Sequence, residues 1–480
     1  MNPRHSGFSA GTLTRSFGVA AGFLVLVFLL GGSARASVLS LIVLRPLAIL
    51  AVVAAFFMGS ADQRRAVRVP LYLLLAIIAL VAIHLIPLPP GLWQSLPGRA
   101  LETESFGAVG MAAPWMPISM APFEGWNSLF SLTVPLAALL LMANADQHGR
   151  STLIGLMLCI IGVSALLGLL QVMASVDLLY FYDITNQGNS VGLFANRNHQ
   201  AAILACAFPL LAAWSALAVK DRAKLIRRLW VSAGAAAILV PMVIVTGSRG
   251  GLFLTVFGLI LASAIIAILV PVNSITTDKV IARRVRIVPV ALVAMLLLII
   301  IAFWFSGRGT AFDNLVESAP GDDLRVAALP TLWQAIRDFF PFGSGAGSFV
   351  SIYQAYEPHH LLSENYFNHA HNDLVEVALE FGLAGIALIA LAAAAVVAAL
   401  VRLGLLLYRE SITRPVAVAQ TLAGAAILLI LGVGSIVDYP LRTPSVAAFA
   451  ALAAVWLTLG LRDIAAPATR VNGTKGAASD

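Results

Sequence analysis

The residues best suited to chemistry in this chain are His371, Asn372 and Asp373, which stand directly before a long apolar run, and Glu376 and Glu380 within it. Asn372, Glu376 and Glu380 recur at four-residue intervals, so on a helix they form one polar stripe. Carboxylates inside an apolar run are costly unless they meet a cation or water, which turns the stripe toward the protein interior, near an arginine or a hydrated cleft. An imidazole beside it is suited to take a proton from a hydroxyl near physiological pH. A capping or interfacial histidine is the plainer alternative for His371.

A second set of residues is suited to an anion. Ser248-Arg249-Gly250-Gly251 opens another apolar run and places Arg249 at a helix N-terminus. Free amides, the positive dipole end and the guanidinium all favour negative charge there, and the glycines let a bulky ligand approach the backbone. Anchoring on lipid phosphate would account for Arg249 equally simply. Arg325 and Arg442 can join it, with Asp438 as an orienting partner for Arg442. Asn196, Asn198 and His199 begin a further run and are suited to sugar hydroxyls or a phosphate; capping, loop packing or lipid contact would also explain each. The loop Gly343-Ser344-Gly345-Ala346-Gly347 has amides able to hold an anion, but no strand precedes it and a plain turn is the preferred reading. His359-His360 and the His369/His371 pair invite a metal. No acidic or cysteine ligand completes the set at a recognisable spacing, so no metal site is assigned.

These clusters must be positioned by membrane spans. The chain is 60% hydrophobic, 11% charged and has a mean hydropathy of +0.92. A span needs roughly 20 mostly apolar residues. About twelve such runs occur, near 17–33, 37–59, 69–88, 126–144, 152–175, 199–219, 229–246, 250–271, 287–305, 374–401, 415–436 and 444–461. Continuous runs of this length mean helices rather than barrel strands, so the expected fold is an all-α polytopic integral membrane protein. Of the 30 basic residues, 21 fall on the side of the N-terminus, including all four lysines. The bias predicts that both termini are cytoplasmic and that every polar cluster above faces the other side. The nine remaining basic residues are all arginines, as phosphate recognition would favour, although 26 arginines against 4 lysines explain this as well. The inner loops account for the net charge of +7, so no nucleic-acid partner is indicated. Cys159 and Cys206 both fall in expected spans, which excludes a disulfide framework. Ala34-Arg35-Ala36 resembles a cleavage site after the first span; a retained helix is expected.

Residues 1–305 thus carry nine expected spans and an outer loop near 89–125, whose Trp93, Trp115 and Trp126 suggest an interfacial aromatic belt. A shorter outer loop, 176–198, is expected to hold Tyr180, Phe181 and Tyr182 near the lipid surface. Residues 306–373 form the largest outer loop, in which 322–339 has helical character that Pro330 is expected to split. Three spans occupy 374–462, and 463–480 is expected to be a disordered cytoplasmic tail.

The chain resembles the O-antigen ligase and polymerase family of bacterial envelope glycosyltransferases. The resemblance rests on Gly192-Leu193-Phe194-Ala195-Asn196-Arg197-Asn198-His199, Ser248-Arg249-Gly250, Gly343 to Phe349, and His371-Asn372-Asp373-Leu374 running to Glu380-Phe381-Gly382-Leu383-Ala384-Gly385. It covers roughly residues 190–445. It implies an inner-membrane, metal-independent enzyme without cofactors. The enzyme would take a glycan from undecaprenyl diphosphate and pass it to a hydroxyl of lipid A core, of a protein or of another glycan. His371 would be the base for that hydroxyl, and Arg249 and Arg325 would hold the donor diphosphate. Ligase and polymerase differ in acceptor alone; ligase-like transfer with inversion is the expectation, with an O-antigen or exopolysaccharide polymerase as the alternative. A transporter or flippase would instead require polar residues through the middle of several spans.

Overall fold

The computed structural model describes residues 15–174, 177–270, 320–362, 367–409 and 412–466. Among these residues the chain is helical, with one isolated antiparallel bridge between Leu88 and Met116. The helices in order are α1 (Arg15–Leu30), α2 (Leu41–Met58), α3 (Ala61–Ala66), α4 (Arg68–His84), α5 (Pro90–Trp93), α6 (Ala100–Ala108), α7 (Pro122–Ser131), α8 (Thr133–Ala143) and α9 (Gln147–Ala174). They continue as α10 (Arg197–Ala216), α11 (Arg222–Val245), α12 (Arg249–Leu269), α13 (Pro320–Phe339), α14 (Phe349–Tyr356), α15 (Asp373–Arg409), α16 (Pro415–Val437) and α17 (Pro444–Ala465).

Nine helical stretches among the described residues are long and apolar enough to cross a membrane, α7 and α8 forming one of them. With the shorter apolar helices α1 and α4 they match eleven of the expected spans; the twelfth, 287–305, lies outside the described residues, as does most of the expected tail. The protein is an all-α polytopic membrane protein. Its helices begin where polar caps satisfy the orphan amides of a first turn. The Ser248 hydroxyl accepts from Gly251 N at 3.0 Å, and the Asn196 side chain accepts from Asn198 N at 2.8 Å. At α16 and α17 proline fills the first helical position, where no amide is needed.

Nearly all of α10 is buried, and α12, α16 and α9 pack around it. Backbones approach closely because small residues line the contact, the usual source of helix association in lipid. A Cβ on Gly251 would come within 2.2 Å of the Ala201 Cβ, and one on Gly258 within 2.6 Å of the Ala205 carbonyl oxygen.

α15 is broken at Gly382, whose φ of 52° and ψ of −137° are not helical. The break releases carbonyls one turn earlier. Leu379 O accepts from Ser344 N at 2.9 Å, Glu380 O accepts from Gly345 N at 2.8 Å, and Leu383 N donates to Pro341 O at 2.9 Å. The glycine-rich loop is therefore a turn, as expected, and two of its amides are occupied by the kink rather than open to an anion. Around it, Ala328, Leu332, Ala335, Ile336 and Phe339 of α13 and Phe349, Ile352 and Tyr353 of α14 form a satellite core with Leu379.

Three expectations are corrected. α13 runs unbroken through Pro330, because packing of Ala328, Leu332 and Ala335 on either side outweighs one missing hydrogen bond. Trp93 does not join an interfacial belt. It is fully buried, its indole donating to Pro114 O at 2.9 Å, while Trp115 and Trp126 are exposed. Likewise Tyr182 is buried, its hydroxyl accepting from Gly32 N at 2.7 Å.

Replacing Gly382 with alanine should be severe, since its Cβ would lie 2.1 Å from Pro341 O at a left-handed φ. A loss of about 2 kcal/mol or more is expected. Thermal unfolding in detergent would read it, against Gly234→Ala in α11, where a Cβ meets nothing within 4 Å and no loss is expected.

Candidate active site

Two cavities adjoin at one end of the bundle. The first, of about 380 Å3, is lined by Ser248, Arg249, Gly250 and Asp438; the second, of about 240 Å3, by Asn196, His199, Asn368, His371 and Tyr439. Arg197, Asn198 and Arg325 belong to the walls of both, so the two are lobes of one cleft. The N-termini of α10 and α12 open into it, and α13 supplies Arg325. Two helix starts and three arginines make the first lobe a place for an anion.

His371 is the one non-glycine residue with positive φ among the described residues, at 51°. That backbone region costs most side chains energy and is tolerated somewhat better by histidine. The conformation is held by neighbours. His371 Nδ1 lies 2.9 Å from the carbonyl of His369, its ring stacks on Phe367 at 5.4 Å, and it meets the edge of Tyr439 at 5.1 Å. A carbonyl only accepts, so Nδ1 must donate. In the neutral ring this leaves the Nε2 lone pair as the free acceptor. Burial, reinforced by the Arg325 guanidinium, lowers the His371 pKa to about 4. The imidazole is thus neutral at pH 7 and able to accept a proton.

Behind the loop 369–371 lies an ion cluster. Arg442, from the turn before α17, reaches Asp373 Oδ1 with Nε at 3.1 Å and Glu376 Oε1 with Nη1 at 3.1 Å; Glu380 Oε2 is 3.6 Å away. Glu376 Oε1 also meets His369 Nδ1 at 2.8 Å, and its Oε2 accepts from Ala370 N at 2.9 Å. Glu380 Oε1 accepts from Phe349 N at 3.3 Å. The polar stripe on α15 therefore does meet an arginine, and through Glu376 it grips the two residues that precede His371. Asp438 is not the partner of Arg442; it faces His199, with Oδ2 at 3.9 Å from Nε2. His199 Nδ1 is 2.8 Å from Thr443 Oγ1.

Of the residues singled out from sequence, His371, Arg249, Arg325, Asn196, Asn198 and His199 line the cleft. Asn372, Glu376 and Arg442 do not. Asn372 Oδ1 accepts from Leu374 N and Val375 N and so caps α15, while Glu376 and Arg442 belong to the cluster behind. Sequence reasoning passed over Tyr439, whose ring touches His199, His369 and His371 at 5.1, 4.2 and 5.1 Å. Burial, then the nearby Asp438 carboxylate, raises its pKa above the ordinary range, so the phenol keeps its proton. The run Asp438 to Arg442, all polar or proline but for Leu441, was the available signal. The described residues contain no group of three or more His, Cys, Asp or Glu placed to hold a metal.

Removing the guanidinium should be far worse than weakening it. Arg442→Met would leave three carboxylates crowded and unpaired, a change on the order of 3–5 kcal/mol for a buried charge network. Arg442→Lys should recover part of this, since one ammonium cannot reproduce the fork. Thermal unfolding of the purified variants reads both, and equal melting of Arg442→Met and the parent would refute the cluster's structural role.

Comparison with the curated proteins finds no match. The family model of the O-antigen ligases matches residues 234–390, a segment that carries Arg249, Arg325, His371, Glu376 and Glu380. Over that segment, which supplies Arg249 and Arg325 of the first lobe and the histidine of the second, the chain is similar to the O-antigen ligases.

Proposed function

We propose that the chain transfers a glycan from undecaprenyl diphosphate to an acceptor hydroxyl, with inversion, at the periplasmic face of a bacterial inner membrane. The observation that carries this reading is the single cleft that has Arg249 in one lobe, His371 in the other and Arg325 between them. The bias of basic residues toward the opposite loops supports a cytoplasmic position for both termini and a periplasmic one for the cleft. Outside the cytoplasm no nucleotide sugar is at hand, so the donor must arrive activated and anchored in the membrane.

In the proposed step, His371 Nε2 takes the proton of the acceptor hydroxyl as its oxygen attacks the anomeric carbon. The bond from that carbon to the phosphate oxygen breaks, and the diphosphate leaves with the electron pair. Arg249, Arg325 and the α12 N-terminus receive the charge that develops on it. The proton rests on His371, beside the new anion, until water removes it. One histidine base and no catalytic carboxylate pair fit direct displacement rather than a covalent glycosyl-enzyme. Asn196, Asn198 and His199 are assigned to substrate hydroxyls or phosphate. Asn372, Glu376 and Arg442 are assigned to positioning the histidine loop. The acceptor is a hydroxyl of lipid A core, of a protein or of another lipid-linked glycan. Ligase-type transfer is preferred because the family match bears that description.

The test is purified protein with an undecaprenyl-diphosphate-linked oligosaccharide and a lipid A core acceptor, followed on a gel. His371→Ala should lower turnover by roughly 10²–10⁴ while donor binding persists. Arg249→Ala should weaken donor binding. A ladder formed from donor alone would replace the ligase reading with a polymerase, and normal turnover by His371→Ala would remove the base. The pH profile adds a check on sign. The histidine acts unprotonated, so kcat/KM should fall only as pH drops toward about 4, not near 6.5. Because a bound diphosphate favours the imidazolium, the acid limb of kcat should lie higher than that of kcat/KM.

A further inference from the structure

A second large cleft lies away from the one that holds His371. An open cleft of about 610 Å3 lies where α3, the start of α4, and the ends of α15 and α17 meet, and it is walled by Arg65, Arg68, Arg402 and Arg462 with Asp62. Three helices place it at the far end of the bundle. α4 carries Arg68 at one end and His84, stacked on Phe381 at 5.3 Å, at the other. α17 begins beside Thr443, the partner of His199, and ends at this cleft. On α15, Arg402 follows the Gly382 break by twenty residues, about 30 Å of helix, which is about one hydrocarbon thickness.

Four guanidiniums share this cleft with one carboxylate, and that carboxylate is engaged: Asp62 Oδ1 lies 3.7 Å from Arg65 Nη1. The neighbouring Asp463 pairs with Arg150 at 2.5 Å. Among the described residues, Arg68, Arg402 and Arg462 make no salt bridge. Like charges gathered in one concavity repel, and an anion relieves them. The walls indicate which anion. Val69 on the wall, and Val401 and Leu405 flanking Arg402, are exposed apolar residues on helices that continue into the bilayer. A ligand here has its charge among arginines and apolar surface immediately beneath.

We propose that this cleft binds the phosphodiester headgroup of an anionic phospholipid, in the leaflet opposite the active-site cleft, with Arg68, Arg402 and Arg462 as the phosphate ligands and the acyl chains along α4 and α15. The site is independent of the transfer reaction and needs no glycan to be tested. The full-length protein in detergent is titrated with dioleoyl phosphatidylglycerol, and bound lipid is read by native mass spectrometry. Dioleoyl phosphatidylcholine and inorganic phosphate serve as comparisons. Phosphatidylglycerol should bind in preference to both. Each of Arg68→Gln, Arg402→Gln and Arg462→Gln should weaken it roughly fivefold, the effect of one basic residue at an anionic lipid surface. Lys220→Gln/Arg227→Gln, which removes inner-side charge outside the cleft, should change nothing. The three arginines are exposed, so the single variants should fold as the parent does. Unchanged phosphatidylglycerol binding in the three variants would overturn the assignment, as would equal loss in the Lys220/Arg227 control. Displacement of the lipid by millimolar inorganic phosphate would make it a free-anion site instead.

Discussion

The candidate site depends on one ionic contact, the fork of Arg442 across the carboxylates of α15. Asp373, Glu376 and Glu380 lie on one face of the first two turns of that helix, where three negative charges without a cation would not be tolerated. Once Arg442 is in place, Glu376 still has capacity to bind His369 and the Ala370 amide, and Glu380 to bind Phe349 N. The cluster thereby joins three parts of the chain that are distant in sequence: Phe349, residues 369–380 and Arg442. It also fixes the two residues before His371, so the strained backbone of the histidine is imposed from behind rather than adopted freely. A buried ion network of this sort contributes little net stability, yet it specifies one arrangement of the loops that meet above it.

The second constraint is the break at Gly382. Its freed carbonyls would be a liability in a helix entering lipid, and the loop 341–345 covers them with backbone amides. This docks α13 and α14 over the start of α15 and places Arg325 where the two lobes of the cleft meet. Ion cluster and helix break act on adjoining turns of α15 that share Glu380, one through its side chain and the other through its backbone.

Much of this was legible in the residues themselves. Apolar runs of span length determine where the helices lie, because lipid leaves the backbone no alternative, and eleven of the expected runs are helices of the described structure. The stripe of Glu376 and Glu380 announced a buried cation, and the arginine was found. Its identity was less legible: Arg442 was matched with Asp438, the nearest acid in sequence, whereas packing of α15 against the turn before α17 offered it three carboxylates. Tyr439 was missed because only the fold brings three histidines around it. Trp93 was misread because a tryptophan in an outer loop near a span reads as interfacial. The Gly382 break was invisible because a single glycine in a long apolar run carries no mark of the loop that will cap it.

The electrostatics of the cleft bear on how the proposed chemistry could be ordered. Burial and Arg325 keep the His371 imidazole neutral before any substrate arrives, so the free protein holds a base that is ready but weak. Arg325, which adds to burial in depressing its basicity, is also one of the arginines suited to a diphosphate. In the proposed complex that dianionic group would offset the Arg325 charge and make the histidine a stronger base. Proton transfer would thus be favoured after the donor is seated and disfavoured in its absence. In the proposed product state the imidazolium would face a leaving group that carries an additional negative charge, which would stabilise it without a second acid. A histidine further from Arg325 would be more basic in the empty protein but would lose this dependence on the donor, so the proximity that weakens the base is also what ties its strength to the presence of substrate.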